Sequence, residues 1–141
     1  MPLTLAVADT ILRQALAHAR SASFKPLSVV VLDQRAAVVA AASEDGTSLR
    51  RFEVAQGKAL GALAFNLGSR RLATMAAERP HFFAGVAHSV GAVVPGAGGV
   101  LIKDSEGTVL GAVGISGDTS DNDEAAALAG IAAAGLVGDG G

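Results

Sequence analysis

The sequence contains no cysteine, tryptophan or tyrosine among its 141 residues. The lack of cysteine excludes disulfides, a thiolate nucleophile, iron–sulfur clusters and zinc sites built from cysteine ligands. The only aromatic residues are five phenylalanines, and the net charge is −2, whereas nucleic-acid-binding domains are typically basic and carry aromatic stacking groups. We therefore expect no nucleic-acid partner.

Long apolar runs are also absent from the chain. No stretch of about 20 apolar residues is present, and Asp9, Arg13 and Gln14 interrupt the apolar residues near the N-terminus. We therefore expect neither a membrane-spanning helix nor a cleaved signal peptide. The sequence predicts a cytoplasmic protein that has no membrane partner.

Small apolar residues dominate what is present. Half of the residues are hydrophobic, only 17% are charged, and 18 are glycine. This composition excludes disorder, and the length predicts one domain covering residues 1–141. Small side chains let backbones approach closely. Because the chain is so apolar, it must bury much of its surface, and part of that surface would be buried against other copies of the chain. We expect a homo-oligomer.

The first half of the chain predicts a helix, a β-hairpin and a second helix. Apolar residues recur at helical spacing from Leu5 to about Ala22, with Thr4 as the N-cap. The segments LSVVVLDQ and AVVAAAS then read as two antiparallel strands. Ser48 is the expected cap of a long helix that stops near Gly68.

The second half predicts two short helices, three strands and a last helix. The segments RRLATMAAE and PHFFAGVAH are helical, and Pro80 takes a first helical position. The strand candidates are GAVV, GVLIKD and TVLGAVGIS, and the last helix runs from about Asn122 to Leu136. This order predicts an α+β domain with an antiparallel sheet of about five strands flanked by helices.

Two glycines, Gly57 and Gly61, lie inside the long predicted helix. Each costs roughly 1 kcal/mol of helix stability relative to alanine, so their presence indicates that another element packs directly against the helix backbone. A close contact with a sheet or a second helix explains them better than a ligand does.

The glycine-rich and acidic segments fail the tests for nucleotide and calcium loops. Gly96, Gly98 and Gly99 do not match a dinucleotide fingerprint, because the segment leads into a strand. The run after Gly117 matches the first positions of an EF-hand, but Asp123 stands where glycine is required. We therefore expect Asp121 to cap the last helix, with Glu124 returning the contact in a capping box.

A set of segments in the expected order and spacing resembles the GlcG/HbpS family, which includes the C-terminal domain of PduO-type proteins. The matching features, which cover over half of the chain, are Asp45-Gly46, Glu53, Ala55, Lys58-Ala59, Phe65, Ser69–Leu72, Pro95–Ile102 and Gly111–Ala126. The resemblance implies a profilin-like α+β fold, homo-oligomers from dimer to octamer, and a pocket between a helix and a glycine-rich loop. It also implies haem as a cofactor, since some relatives are haem binders.

The residues that could form such a site are few. His18 lies at the border of the apolar face of the first predicted helix. The resemblance implies an axial ligand to haem iron at this position. Without the resemblance, His18 is expected to be a half-buried surface histidine. No C-x-x-C-H motif is present, so any haem would bind non-covalently. His81 and His88 have no assigned role, and the absence of G-x-S-x-G argues against a serine triad.

The loop Pro95–Gly99 is the second candidate region. Pro95, Gly96, Gly98 and Gly99 remove side chains and free backbone N–H groups, which permits close approach of a flat ligand or an anion. Lys58 and Arg50 are the candidate partners for a ligand carboxylate, Lys58 for a haem propionate in particular. Alternatively, these glycines only form a tight turn between strands.

Two other functional hypotheses stay open at this point. The first is an accessory enzyme of a catabolic pathway that uses Lys58, Asp123 or Glu124 in acid–base chemistry on a small carboxylated metabolite. The second is an oligomeric interaction module that binds no ligand, which the high alanine and glycine content favours.

Overall fold

The computed structural model describes residues 2–141 and contains five helices and five strands in that range. The predicted α+β fold class is confirmed, and the strands form one antiparallel sheet in the order β2-β1-β4-β3-β5. The elements are α1 (Leu5–Ser21), β1 (Ser28–Asp33), β2 (Val38–Ser43), α2 (Arg51–Phe65), α3 (Ser69–Glu78), α4 (Pro80–Val90), β3 (Gly99–Lys103), β4 (Val109–Ser116), α5 (Ser120–Ala133) and β5 (Val137–Asp139).

The sheet separates two layers of helices. Successive side chains of a strand point to opposite faces, so Val29 and Val31 of β1 pack with α1 and α5, whereas Val30 and Leu32 pack with α2. All four of these side chains are buried. The two cores therefore share the central strands, and any residue on α1 lies across the sheet from α2.

Helix α1 forms as its periodicity predicts. The Val7 amide donates to Thr4 Oγ1 at 3.1 Å, which confirms the N-cap. The predicted apolar stripe began at Leu5 and did not include Ile11, but Leu5 is 66% exposed and Ile11 is buried in the core. The remaining buried residues of α1 are Ala8, Leu12, Ala15 and Ala19.

Helix α2 begins later than expected. Its N-cap is Arg50, in the left-handed region at φ 73°, and no side chain caps the helix. The expected cap at Ser48 is therefore wrong: the Ser48 hydroxyl instead accepts from Nε of Arg51 at 3.0 Å. The helix ends at Phe65, before the predicted stop near Gly68, because Asn66 takes a left-handed conformation.

The glycines of α2 are confirmed as sites of close packing. A Cβ added at Gly57 would fall 2.6 Å from Cγ2 of Val94, and one at Gly61 would fall 2.8 Å from Cδ1 of Leu72. The α3 helix and the segment after α4 therefore lie directly on the α2 backbone.

The GAVV segment (91–94) is not a strand, contrary to the prediction. It crosses α2 as an irregular chain, and the Val94 amide donates to the Gly57 carbonyl at 3.1 Å. The fifth strand is instead β5, which pairs with β3 through Leu101, Ile102 and Lys103. The last helix correspondingly ends at Ala133 rather than Leu136, since the chain must turn into β5.

Helix α5 is capped by Thr119 and not by Asp121. The Asn122 amide donates to Thr119 Oγ1 at 3.2 Å, and Asp121 lies inside the first turn. Arg70 of α3 binds both Asp121 and Glu124, so the expected capping box is not formed. These contacts raise the pKa of Arg70 above its ordinary value, Asp121 contributing most.

Candidate functional site

A buried ion pair joins the two helical layers at one end of the sheet. Lys58 of α2 donates from Nζ to Oδ2 of Asp123 at 3.2 Å and to the Ile115 carbonyl at 3.0 Å. Asp123 belongs to α5, and its Oδ1 accepts the Asp118 amide at 2.9 Å. The side chains of Lys58 and Asp123 are only 5% and 2% exposed. The pair is therefore a cross-layer contact that water barely reaches.

Burial controls the ionisation of this pair. Loss of hydration lowers the pKa of the Lys58 ammonium and raises the pKa of the Asp123 carboxyl, because burial penalises each charged form. Their mutual attraction opposes both shifts. The two groups thus stabilise each other's charge in a site that is largely closed to water.

The loop Pro95–Gly99 lies against Lys58. A Cβ added at Gly98, which has φ +121°, would fall 3.0 Å from Nζ of Lys58. Buried Ser69 links the two ends of the loop: its hydroxyl donates to the Gly96 carbonyl and accepts the Gly99 amide at 2.7 Å. The loop therefore packs on Lys58, and its Gly96 and Gly98 carbonyls and its Gly99 amide are hydrogen-bonded within the fold.

His18 is half-buried near the end of α1. Its ring meets the ring of Phe24 edge-on, with the centroids 5.7 Å apart. Within residues 2–141, no group forms a hydrogen bond to either imidazole nitrogen of His18, although its main-chain carbonyl accepts from the Ala22 amide. The imidazole nitrogens therefore remain available to an external partner.

The structure brings only part of the sequence-predicted set together. Lys58 and the loop Pro95–Gly99 are in contact, but His18 lies on the opposite face of the sheet. Arg50 is exposed at the start of α2 and forms an ion pair with Glu53 at 2.8 Å. Five clefts on the described chain are lined by other residues.

Two polar residues were not predicted as site residues, although Ser69 belongs to the segment Ser69–Leu72 that carries the family resemblance. Ser69 holds the glycine loop, and Arg51 lines a cleft at the end of the sheet, where its Nη1 donates to Ser116 Oγ at 3.2 Å. Both contacts join positions far apart in the chain, so no local pattern marks them. The only local signal was the position of Arg51 beside Arg50 at the start of a helix.

The described residues contain no group of three or more histidine, aspartate or glutamate side chains that could hold a metal ion. Over the same range, none of the helices is both long and apolar enough to cross a membrane.

Comparison with known proteins identifies the family. The family model described as haem degrading protein HbpS-like matches residues 3–132. The crystal structure of a PduOC–haem complex superposes with a TM-score of 0.86 at 24% identity, over 96% of this chain and 97% of that one. At this identity, the likeness concerns the fold.

Two HbpS structures give similar matches. One HbpS crystal structure has a TM-score of 0.81 at 27% identity, over 94% of this chain and 89% of that one. A double mutant of Streptomyces reticuli HbpS has a TM-score of 0.80 at 26% identity, over 94% and 86%. No curated protein sequence matches. The family match spans most of the chain, and we conclude that it belongs to the HbpS-like family.

Proposed function

We propose that this protein binds haem or a closely related tetrapyrrole, with His18 as an axial ligand. Membership of a family described as haem-degrading supports this function, and so does the fold shared with PduOC, whose structure is a haem complex. The observation that carries the proposal is the half-buried His18 imidazole, which keeps both ring nitrogens unengaged.

The residues around His18 fit one side of such a ligand. The imidazole supplies a nitrogen donor, and the adjacent Phe24 ring supplies an apolar contact for a macrocycle. Bound haem would bring a redox-active iron to this surface. Because Lys58 is already paired with Asp123, we assign Lys58 to holding α2 against α5 rather than to a propionate.

Acid–base chemistry receives less support. Asp123 has a raised pKa, but it is buried against Lys58 and lines none of the five clefts. Glu124 is bound to Arg70 at 3.1 Å. We therefore do not extend the proposal to an enzymatic use of these carboxylates.

Titration with hemin tests the proposal. We expect a saturable shift of the Soret band with the wild-type protein and at least about tenfold weaker binding by His18→Ala, because the variant loses its axial ligand. His81→Ala, which removes an exposed histidine of α4, is the matched control and should bind as the wild type does. Absence of a saturable shift, or equal affinity of His18→Ala and the wild type, would refute the assignment.

We further propose that the protein assembles as a homo-oligomer, from dimer to octamer. Helix α4 supports this proposal because two of its large apolar side chains, Phe82 and Val90, are 45% and 41% exposed. Exposed apolar patches of this kind mark contact surfaces between proteins. A second copy on this helix would remove its apolar groups from water.

Light scattering at micromolar concentration measures the assembly. We expect a mass that is a multiple of 13.9 kDa for the wild type and a smaller mass for Phe82→Glu, because a carboxylate in an apolar contact is costly to desolvate. Leu5→Glu, which places a charge on an exposed leucine of α1, serves as the control. A monomeric wild-type protein would contradict the proposal.

A further inference from the structure

A cleft at the end of the sheet, here called the Arg51 cleft, has no role in the function proposed above. It lies where the segment after α1, the turn after β2 and the turn after β4 meet the first turn of α2. Its volume is about 250 Å³, and its lining consists of Lys25, Pro26, Gly46, Ser48, Arg51 and Gly117. The two glycines contribute no side chains, so the cleft is bordered largely by backbone and cationic groups.

Arg51 is held in this cleft by neutral groups. Nε donates to Ser48 Oγ at 3.0 Å, and Nη1 donates to Ser116 Oγ at 3.2 Å. The Ser116 side chain is buried, so one of these anchors belongs to the rigid sheet. Two of the five guanidinium N–H groups are therefore used, and three remain for another acceptor.

No carboxylate of residues 2–141 lies within ion-pair distance of Arg51, and this distinguishes it from most arginines of the protein. A guanidinium that is half-buried and oriented, yet has no counter-ion, is well suited to a planar oxyanion. The arginines that do reach a carboxylate oxygen within 3.1 Å are Arg13, Arg20, Arg35, Arg50 and Arg70.

Two neighbouring features add positive potential. Lys25 lines the same cleft, and in the described part of the chain no carboxylate forms an ion pair with its ammonium within 4.0 Å, although the Asp118 carboxylate is near enough to attract it. The nearby Asp118 carboxylate accepts the Lys25 and Thr119 amides, and these bonds lower its pKa. Arg51 is also the first residue of α2, where the helix dipole favours an anion and no side chain caps the helix.

We propose that the Arg51 cleft binds a small oxyanion, a carboxylate or phosphate group, between Arg51 and Lys25. The remaining guanidinium donors of Arg51 engage two oxygens of the anion, while Lys25, which also lines the cleft, supplies a second positive charge. The cleft accommodates a ligand of a few non-hydrogen atoms or one acidic end of a larger molecule. This inference does not depend on haem binding.

Nuclear magnetic resonance titration of the haem-free full chain tests this site. The probes are inorganic phosphate and acetate, added at ionic strength held constant with sodium chloride so that general screening does not change. We expect saturable shifts of the Gly46, Ser48 and Gly117 amides for at least one probe. Shifts that stay linear with concentration for both probes would overturn the proposal.

Variants locate the binding to the cleft. Arg51→Gln should weaken binding at least about tenfold, whereas Arg13→Gln makes the same change of charge on exposed α1 and should leave binding unchanged. Lys25→Gln, at an exposed position, should also weaken binding and keeps the test decisive if Arg51→Gln does not fold. Wild-type affinity in Lys25→Gln and in folded Arg51→Gln would overturn the proposal.

Hemin titration of Arg51→Gln distinguishes the two sources of the anion. If the natural occupant is a propionate of the tetrapyrrole, Arg51→Gln weakens both phosphate and hemin binding. If it is a separate small anion, the variant weakens phosphate binding alone. Both results support an oxyanion site, while His18→Ala reports on the haem proposal independently.

Discussion

Replacing Lys58 by methionine should lower the free energy of unfolding by about 3–5 kcal/mol, the usual cost of removing one partner of a buried ion pair. The substitution leaves the Asp123 carboxylate at 2% exposure with no cation, and it leaves the Ile115 carbonyl without its Nζ donor. The carboxylate must then ionise in an apolar surrounding or take up a proton. Urea denaturation monitored by far-UV circular dichroism measures the loss.

The matched control is Lys103→Met. Lys103 pairs with Asp139 at 2.8 Å, but these side chains are 27% and 41% exposed, so water stabilises the carboxylate that remains. The expected loss is at most about 1 kcal/mol. A double variant, Lys58→Met with Asp123→Leu, should recover part of the loss because no uncompensated charge is buried. If Lys58→Met is as stable as Lys103→Met, the pair does not hold the layers as described.

The second large effect is expected for Gly114→Ala, which should cost about 3 kcal/mol through overpacking. Gly114 lies in β4 between Val30 and Gly99 of the neighbouring strands, and a Cβ there would overlap the carbonyl oxygen of Ala55 in α2. The atoms that such a Cβ would meet are the Ala55 carbonyl group and the Cβ of Ala59, so no flexible side chain can rotate away. Either the helix or the strand must shift, which disturbs the whole layer.

Gly85→Ala provides a control of opposite sign. Gly85 lies inside α4, and a Cβ there meets nothing within 4 Å. Alanine favours the helix over glycine, so we expect a gain of about 0.5–1 kcal/mol. Urea denaturation of both variants checks the pair of predictions. A Gly114→Ala protein with wild-type stability would show that α2 and β4 are not in such close contact.

The sequence predicted the elements that local patterns determine. Helix α1, the β1–β2 hairpin and the close packing at Gly57 and Gly61 all follow from periodicity, turn residues and glycine placement. The segment 91–94 misled the prediction because a short run of valines does not distinguish a strand from a chain that packs on a helix. Strand β5 was missed because its sequence, VGD, carries no strand signal of its own.

The candidate site depended on contacts between distant segments, and these were harder to predict. Asp121 was the expected N-cap of the last helix, but Thr119 caps it, and Arg70, some fifty positions away, binds Asp121 instead. In the same way, the role of Lys58 could not be read without knowing that Asp123 lies beside it. The family resemblance included the segments that contain Lys58 and Asp123, but only the fold shows that these two side chains face each other.

The arrangement of strands also bears on how the chain reaches this fold. Strands β1 and β2 form one local hairpin, and β3 and β4 form another. At the centre of the sheet, however, β1 pairs with β4. This pairing joins Ser28 of β1 to Ser116 of β4, which are far apart in the sequence. A hairpin forms within microseconds, whereas closing so long a loop is entropically costly. The encounter of the two hairpins should therefore set the rate of refolding, and until it occurs the edge of β1 that pairs with β4 stays open.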